Sequence, residues 1–175
     1  MRTRPYAALA LAASMPLIGC AERPAGASAV AEGEEPVPQR AEDVRPLSIG
    51  EPAPAALLRD PDGQTLRLGE AYSRAPMLLI FYRGGWCPYC SAHLGEIAVM
   101  QEELAELGVQ ILAISPDRPE KLRESIADRE LGYQLLSDSE MSATRAFGLA
   151  FQLSEEEVAG YARAGFDLED ASGHD

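Results

Sequence analysis

MLLIFYRGGWCPYC, residues 77–90, is the stretch that decides the fold. Its first six residues are apolar or aromatic and suit a strand buried on both faces of a sheet. Gly84 and Gly85 follow, and Pro88 suits the first helical position, where its missing N–H is not needed. Cys87 is therefore predicted where a buried strand gives way to a helix.

The rest of the sequence alternates predicted strands and helices, which indicates an α/β protein. The predicted elements are a hairpin at 57–68 with its turn at 61–63, strands at 77–82, 109–115 and 133–137, helices at 88–107 and 119–131, a helix capped by Asp138 that runs to Phe147, and a last short helix with a capping box at Ser154 and Glu157. Gly108 and Gly148 are predicted helix stops. The first two buried strands and the helix between them should form a parallel, right-handed unit.

The two cysteines of this stretch have the arrangement of a redox pair. At the helix N-cap, the Cys87 sulfur can accept hydrogen bonds from the backbone N–H of Tyr89 or Cys90, and the helix dipole adds positive charge there. Both effects favour the nucleophilic thiolate of Cys87. Cys90 lies one turn further on, so Cys87 is predicted to attack and Cys90 to resolve. A disulfide that closes so small a loop would add little stability, which disfavours a purely structural role.

Five neighbouring residues are candidates for supporting roles, one of them Pro88 at the start of the helix. Gly84 and Gly85 have no side chains to block approach to the sulfur. Arg83 supplies a positive charge near it, or is a solvated residue at the strand end. Trp86 shields the cysteine pair, or only packs in the core.

The motif and its context resemble a known family. Gly85–Cys90 looks like a thioredoxin-fold active site, and CPYC is also the glutaredoxin tetrapeptide. Residues 46–165 resemble the peroxiredoxin-like branch of the alkyl hydroperoxide reductase and thiol-specific antioxidant family, through the segments IGEPAP (49–54), FYRGGWCPYC (81–90), LAISPD (112–117), LLSD (135–138) and AFGL (146–149). The resemblance implies a thioredoxin-like fold with a parallel βαβ core, flanking helices and an N-terminal hairpin.

The resemblance also implies a mechanism. Cys87 would be the peroxidatic cysteine, which attacks a hydroperoxide and becomes a sulfenic acid, and Cys90 would recapture it as a disulfide. An external, thioredoxin-like dithiol would reduce that disulfide. Counted back from Cys87, however, Ile80 and Gly84 stand where the family's Pro-x-x-x-Thr/Ser-x-x-Cys signature has proline and a hydroxyl residue. This departure favours, as an alternative, a thiol–disulfide oxidoreductase of the cell envelope.

A second departure concerns the end of the sequence. The resemblance implies two further strands, one preceded by a cis-proline, and a closing helix, yet no strand-like run follows residues 133–137. The missing strands would pair with the strand at 77–82, which would otherwise become a sheet edge. We therefore expect residues 46–175 to be an incomplete domain of a longer protein; a partner covering that edge is the alternative.

The N-terminus predicts export. Residues 1–19 have a short positive head and an apolar run too short to span a bilayer, as in a secretory signal. Leu17–Cys20 resembles a bacterial lipobox, which implies a lipid on Cys20, and Ala21 after it implies the outer membrane. An ordinary secretory signal is the alternative. Residues 21–45 are rich in Ala, Glu, Pro and Gly and predict a disordered linker, so membrane contact would occur only through the lipid anchor.

Charge and motif spacing exclude other classes of function. The net charge is −13 and no basic run is present, so nucleic acid is not an expected partner. Ser91 follows Cys90 where c-type haem attachment needs histidine. A structural zinc site needs about four ligands, and the pair offers only His93 in addition. The non-enzymatic alternative is a copper-binding thioredoxin-fold chaperone with His174 as a distal ligand; our primary expectation includes no metal or cofactor.

Overall fold

The structure is a computed structural model that describes residues 36–129 and 131–174. The predicted signal, Cys20 and most of the predicted linker lie outside these residues. The strands are β1 (Leu57–Arg59), β2 (Thr65–Arg67), β3 (Met77–Phe81), β4 (Gln110–Ser115) and β5 (Gln134–Ser137). The helices are α1 (Leu68–Tyr72), α2 (Pro88–Val99), α3 (Gln101–Glu106), α4 (Pro119–Arg129), α5 (Ser142–Ala146), α6 (Glu155–Arg163) and α7 (Leu168–Ser172).

These strands form one mixed sheet in the order β2-β1-β5-β4-β3. β4 pairs in parallel with β3 and β5, whereas β1 pairs antiparallel with β2 and β5. The hairpin turn is closed by Asp60, whose carboxylate accepts the backbone N–H groups of Asp62 and Gln64, and by Gly63 at a φ of 79°. The predicted α/β class and N-terminal hairpin are confirmed, although Leu68 begins α1 and does not extend the strand.

Alternation along β4 divides the core into two layers, because successive strand residues face opposite sides of a sheet. One cluster lies under α2 and α4 and contains Ile80, Leu94, Ile97, Ile111, Ala113, Leu122 and Leu135. The other lies under α1 and α5 and contains Leu58, Leu68, Leu112, Ile114, Leu136 and Ala143. Helices therefore cover both faces of the sheet, and α2 packs against it through Leu94 and Ile97.

The strand β3 differs from its prediction. Burial on both faces was wrong, because Leu78 is 37% exposed, but the position of β3 at an edge of the described sheet agrees with the edge expected when the further strands are lacking. Only Ile80 of this strand is buried. The cause is the strand order, since β3 pairs with β4 alone among the described residues.

Three helical predictions also need correction. The helix predicted at 88–107 breaks at Met100 into α2 and α3; the turn at Met100 stays near helical geometry, and we have no physical account of the break. Asp138 is not the N-cap of α5, because Met141 is, but its buried carboxylate accepts the N–H groups of Ala143 and Thr144 and so caps the helix from a distance. α7 was not predicted.

Both ends of the described chain are fastened to the domain. Residues 36–45 belong to the predicted linker, yet Pro38 accepts the N–H of Gln152, and the N–H of Arg45 donates to Gly148. α7 is joined to α4 through Asp170, which pairs with Arg118 and Lys121 at 2.5 and 2.7 Å. Within the described residues, no helix combines the length and apolar character needed to cross a bilayer.

Candidate active site

The junction of β3 and α2 places Cys87 at the N-cap of the helix, as predicted. Cys87 has extended backbone angles, Pro88 occupies the first helical turn, and the Cys87 Sγ accepts the backbone N–H of Cys90 at 3.4 Å. Tyr89 was the other predicted donor, but among the described residues its N–H does not donate to the Cys87 sulfur. The sulfur thus lies at the positive end of a twelve-residue helix.

Arg83 supplies the charge next to this sulfur. Its guanidinium Nη2 donates to the Cys87 Sγ at 3.0 Å, and its Nη1 donates to the hydroxyl of Tyr161 at 2.9 Å. The guanidinium carbon also lies 5.5 Å from the centroid of the Trp86 ring, within the range of a cation–π contact. Arg83 is thus exposed to solvent and at the same time places its charge at the cysteine.

These contacts separate the two thiols electrostatically. Burial by itself raises the pKa of Cys87, but the backbone N–H and thiol of Cys90, and then the Arg83 guanidinium, outweigh it and hold that pKa below its ordinary value. Burial, followed by the Cys87 sulfur, raises the pKa of Cys90. The two pKa values are therefore moved apart, that of Cys87 downward and that of Cys90 upward, and the two cysteines are not joined by a disulfide.

The glycines do not play the role we predicted. The Cys87 side chain is fully buried (0% exposed), so Gly84 and Gly85 do not open a path to the sulfur. Gly84 has a φ of 148°, and a Cβ there would meet the Trp86 ring and the Asp117 carboxylate. A Cβ on Gly85 would meet the Ser125 hydroxyl. Both glycines instead permit close packing of the loop that carries the cysteine.

Trp86 lies between the cysteine motif and residues 161–166 of the C-terminal segment. Its ring packs edge-on against Tyr161 at 5.4 Å between centroids and at a tilt against Phe166 at 5.3 Å. Trp86 thus joins the motif to α6 and to the residues that follow it, and its shielding of the cysteine pair stays a prediction.

Two residues of the site were missed in the sequence. Asp117 is buried and its carboxylate accepts the N–H of Gly85 at 2.6 Å, which fixes the loop before Cys87. Burial raises the pKa of Asp117, although the bonds from Gly85 and Ser115 oppose the shift. Asp117 stands in the LAISPD segment, so a local signal was present. Tyr161 is 78 residues from Arg83 along the chain and gave none.

A cleft of about 900 Å³ lies beside the cysteine pair. Its edge nearest the pair is formed by Arg83, Trp86, Asp117 and Tyr161, and Cys87 is not among the described residues that line it. The remainder is largely apolar and includes Phe81, Met141, Leu149, Phe151, Leu153 and Leu168. Arg83 therefore faces both the cleft and the buried sulfur.

The candidate metal ligands do not come together. In residues 36–129 and 131–174, no group of three or more His, Cys, Asp or Glu side chains has the arrangement of a metal site. His93 is exposed on α2, and the His174 Nε2 lies 3.9 Å from Glu140. The histidine that the copper-binding alternative needs is therefore not placed beside the cysteine pair.

Comparison with known proteins gives consistent matches. The model of the AhpC/TSA family matches residues 49–166. Peroxiredoxin Bcp of Escherichia coli is 32% identical over 106 residues, which is 61% of this chain and 67% of that protein. Peroxiredoxin Bcp of Bacillus subtilis is 31% identical over 101 residues, covering 58% and 64% of the two chains.

Solved structures agree with these matches. The crystal structure of peroxidoxin BcpB from Mycobacterium tuberculosis has a TM-score of 0.54 and 28% identity, and covers 57% of this chain and 64% of that chain. The predicted thioredoxin-like architecture is confirmed by this likeness. The matched region spans about two thirds of the length of these relatives.

Proposed function

We propose that this chain, which belongs to the AhpC/TSA family, reduces hydroperoxides through Cys87 and Cys90. The predicted enzyme class, a peroxiredoxin-like oxidoreductase, agrees with the family. The observation that carries the proposal is the Cys87 sulfur at a helix N-cap with the Arg83 guanidinium at 3.0 Å. Such a site stabilises a thiolate, which is the nucleophile that attacks an O–O bond.

The first step consumes the peroxide. The Cys87 thiolate attacks the terminal oxygen of the hydroperoxide, an S–O bond forms, and the O–O bond breaks. The alkoxide or hydroxide leaves as an alcohol or water after taking a proton. Arg83 donates from the side of the cleft and stabilises the negative charge as it moves from sulfur to oxygen.

The second step uses the neighbouring thiol. Cys90 follows one turn later and is partly exposed, and its sulfur attacks the sulfenic acid of Cys87. An S–S bond forms and water leaves. An external dithiol then reduces this disulfide by thiol exchange and restores both cysteines. The raised pKa of Cys90 keeps it protonated, and therefore silent, until Cys87 has been oxidised.

Burial of Cys87 adds a requirement to this cycle. A peroxide must reach a sulfur that is 0% exposed, so the residues above it must move aside for each turnover. Trp86 and Tyr161 pack against each other and line the cleft beside the pair, and we propose that they are among the residues that move. We infer that peroxide enters from the cleft, past Arg83.

A thiol–disulfide oxidoreductase is the second candidate. Three observations favour it. Cys90 is more accessible than Cys87, and Tyr89 between them is 81% exposed, as in a surface that meets another protein. The position of Gly84, packed against Trp86 and Asp117, also leaves no room for the hydroxyl residue of the typical signature.

The two candidates are separated by rapid mixing. Reduced protein is mixed in turn with hydrogen peroxide, an organic hydroperoxide and a small disulfide, and the loss of thiol is followed. We expect the hydroperoxides to react faster and Cys87→Ser to abolish their reaction. Slow peroxide reaction beside fast disulfide exchange would replace the first candidate with the second. Cys20→Ser, which changes only the cysteine outside the pair, is the control and should react like the parent.

Localisation in the cell envelope is a further part of the proposal. It rests on the lipobox-like Leu17–Cys20, which would anchor the domain by lipid, with the outer membrane as its destination. The mass of the mature protein, purified from membranes, is expected to show a lipid on Cys20 as the first residue. A mature chain that begins elsewhere and carries no lipid would contradict the anchor without affecting the chemistry.

A further inference from the structure

We propose that Tyr161 is a positioning residue for the thiolate: its hydroxyl holds one arm of Arg83 so that the other arm stays on Cys87. The inference rests on the proposed function and adds to it a residue of α6. Tyr161 does not touch the sulfur and acts only through Arg83.

Both terminal nitrogens of the Arg83 guanidinium donate hydrogen bonds. The guanidinium is planar and rigid, so fixing one nitrogen and one face fixes the other nitrogen. Nη1 donates to Tyr161 at 2.9 Å, the plane lies near the Trp86 ring, and Nη2 then points at the sulfur, 3.0 Å away. Without Tyr161, the guanidinium keeps its contacts with the cysteines and the Trp86 ring but loses the hydrogen bond that fixes Nη1.

Arg83 benefits from such a hold because its other contacts within the described chain include no ion pair to a carboxylate. The residue is exposed, and besides Tyr161 it contacts the two cysteines and the Trp86 ring. An exposed arginine exchanges partners of this kind for water at little cost. The hydroxyl of Tyr161 raises the fraction of time for which the guanidinium remains on the sulfur.

The chemical nature of the hydroxyl matters. A carboxylate at this position would pair with the guanidinium and cancel the charge that the thiolate uses. A neutral phenol oxygen accepts the same hydrogen bond and leaves the positive charge available to Cys87. Tyrosine is therefore suited to orient Arg83 without competing with the sulfur.

Tyr161 is itself held in place by its helix. α6 begins with a reciprocal capping box between Ser154 and Glu157, and the Tyr161 ring packs edge-on against Trp86. The backbone carbonyl of Tyr161 also accepts the N–H of Phe166, whose ring contacts Trp86 from another side. The hydroxyl is thus presented to Arg83 by a fixed element.

The other ionisable groups near the network are few in the described chain. Cys90 faces Cys87 from α2, and Asp117 lies behind the loop, where it binds the N–H of Gly85. Glu157 lies one turn before Tyr161 on α6, and its carboxylate is bonded to Ser154. Asp117 and Glu157 form no ion pair with Arg83 among the described residues, whereas the Cys90 thiol does interact with it. The titration is therefore carried out in chains with Cys90→Ser, in which a change on removing the Tyr161 hydroxyl is attributable to Arg83.

The test is a double-mutant cycle on the full chain, with the ionisation of Cys87 as the readout. Tyr161→Phe, Arg83→Met and the double variant are compared with the parent by titration of the thiolate absorbance, in chains that also carry Cys20→Ser and Cys90→Ser. We expect Tyr161→Phe to raise the Cys87 pKa and to slow peroxide reduction about threefold to tenfold near neutral pH. At a pH above both pKa values most of this loss should disappear, because the thiolate then forms unaided.

The cycle separates positioning from general damage. Since Tyr161 acts through Arg83, Tyr161→Phe should have no further effect on the pKa in the Arg83→Met background. An unchanged pKa in Tyr161→Phe, or an equal change in both backgrounds, would overturn the proposal. An unchanged pKa in Arg83→Met would overturn both this inference and the thiolate account. Tyr72→Phe, which loses a hydroxyl bonded to Pro54 at 3.2 Å, is the matched control and should leave the pKa unchanged.

Discussion

Two regions of the molecule meet at Cys87, and they are built differently. The first, residues 77–99, is continuous in sequence: strand, glycine loop and helix supply the sulfur, its N-cap donor and Arg83. The second, residues 154–166, is distant in sequence and supplies Tyr161 and Phe166, which cover Trp86. The first region makes the sulfur reactive, and the second controls its cover and orients its charge.

The comparison teaches that reactivity and access have largely separate origins here. The helix N-terminus favours the Cys87 thiolate by local geometry, and α6 adds to this only through Tyr161, which orients Arg83. The packing around Trp86 and the orientation of Arg83 depend on contacts distant in sequence, which substitutions can weaken without replacing a cysteine. Substitutions in the two regions should therefore produce different kinds of defect.

The largest effect is expected within the first region, at Cys90. Cys90→Ser removes the resolving thiol, so the enzyme should complete one peroxide reduction and then stop with Cys87 as a sulfenic acid. Trapping with a sulfenic-acid reagent and mass spectrometry checks this outcome. Continued turnover at the parent rate, with the same external dithiol, would show that Cys90 does not resolve.

The next effect concerns the contact between the two regions. Trp86→Ala removes the ring against which Tyr161 and Phe166 pack, and should lower the free energy of unfolding by about 3 kcal/mol. It should also expose Cys87, so alkylation of that thiol should become faster. Denaturant unfolding and alkylation rates measure the two results. Tyr89→Ala, at an exposed neighbouring position, should change stability by less than about 0.5 kcal/mol; an equal loss there would contradict the assignment.

The glycine loop sharpens the comparison further. Gly84→Ala places a methyl group against Trp86 and Asp117 at a positive φ, and should cost about 2 kcal/mol of stability. Gly95→Ala is the matched control, because nothing lies within 4 Å of a Cβ at that helical position; it should be neutral or slightly stabilising. Thermal melting of both variants checks the difference, and equal melting temperatures would refute close packing at Gly84.

The smallest effect is expected at the start of α6. Ser154→Ala removes the hydroxyl that accepts the N–H of Glu157, and should cost about 1 kcal/mol. The loss should be confined to the second region, so hydrogen exchange should quicken in α6 while α2 keeps its protection. Ser154→Thr keeps a capping hydroxyl and should retain most of the stability. Equal quickening in α2 would mean that the two regions are not separable.

The sequence predicted the first region well because its determinants are local. The apolar run before Cys87, Pro88 after it and the stop at Gly108 each act within a few residues, and the structure places the elements accordingly. The capping box of Ser154 and Glu157 was found for the same reason.

Three of the errors have a common physical source in long-range packing. Burial of β3 on both faces was wrong because strand order is decided by partners far away in sequence; only the edge expected without further strands agrees with the described sheet. Open access past Gly84 was wrong because the Trp86 ring and Asp117 fill that space. Tyr161 was missed because its role exists only once α6 has packed against Trp86.

The central claim is the ionisation of Cys87, and titration of the thiolate absorbance tests it most directly. In a reduced chain carrying Cys20→Ser, only Cys87 and Cys90 contribute. The lowered pKa of Cys87 and the raised pKa of Cys90 predict two steps, one below and one above the pKa of a free cysteine. Cys90→Ser should remove the upper step and keep the lower one. A single step at the free-cysteine value, or a lower step that vanishes in Cys90→Ser, would contradict the account.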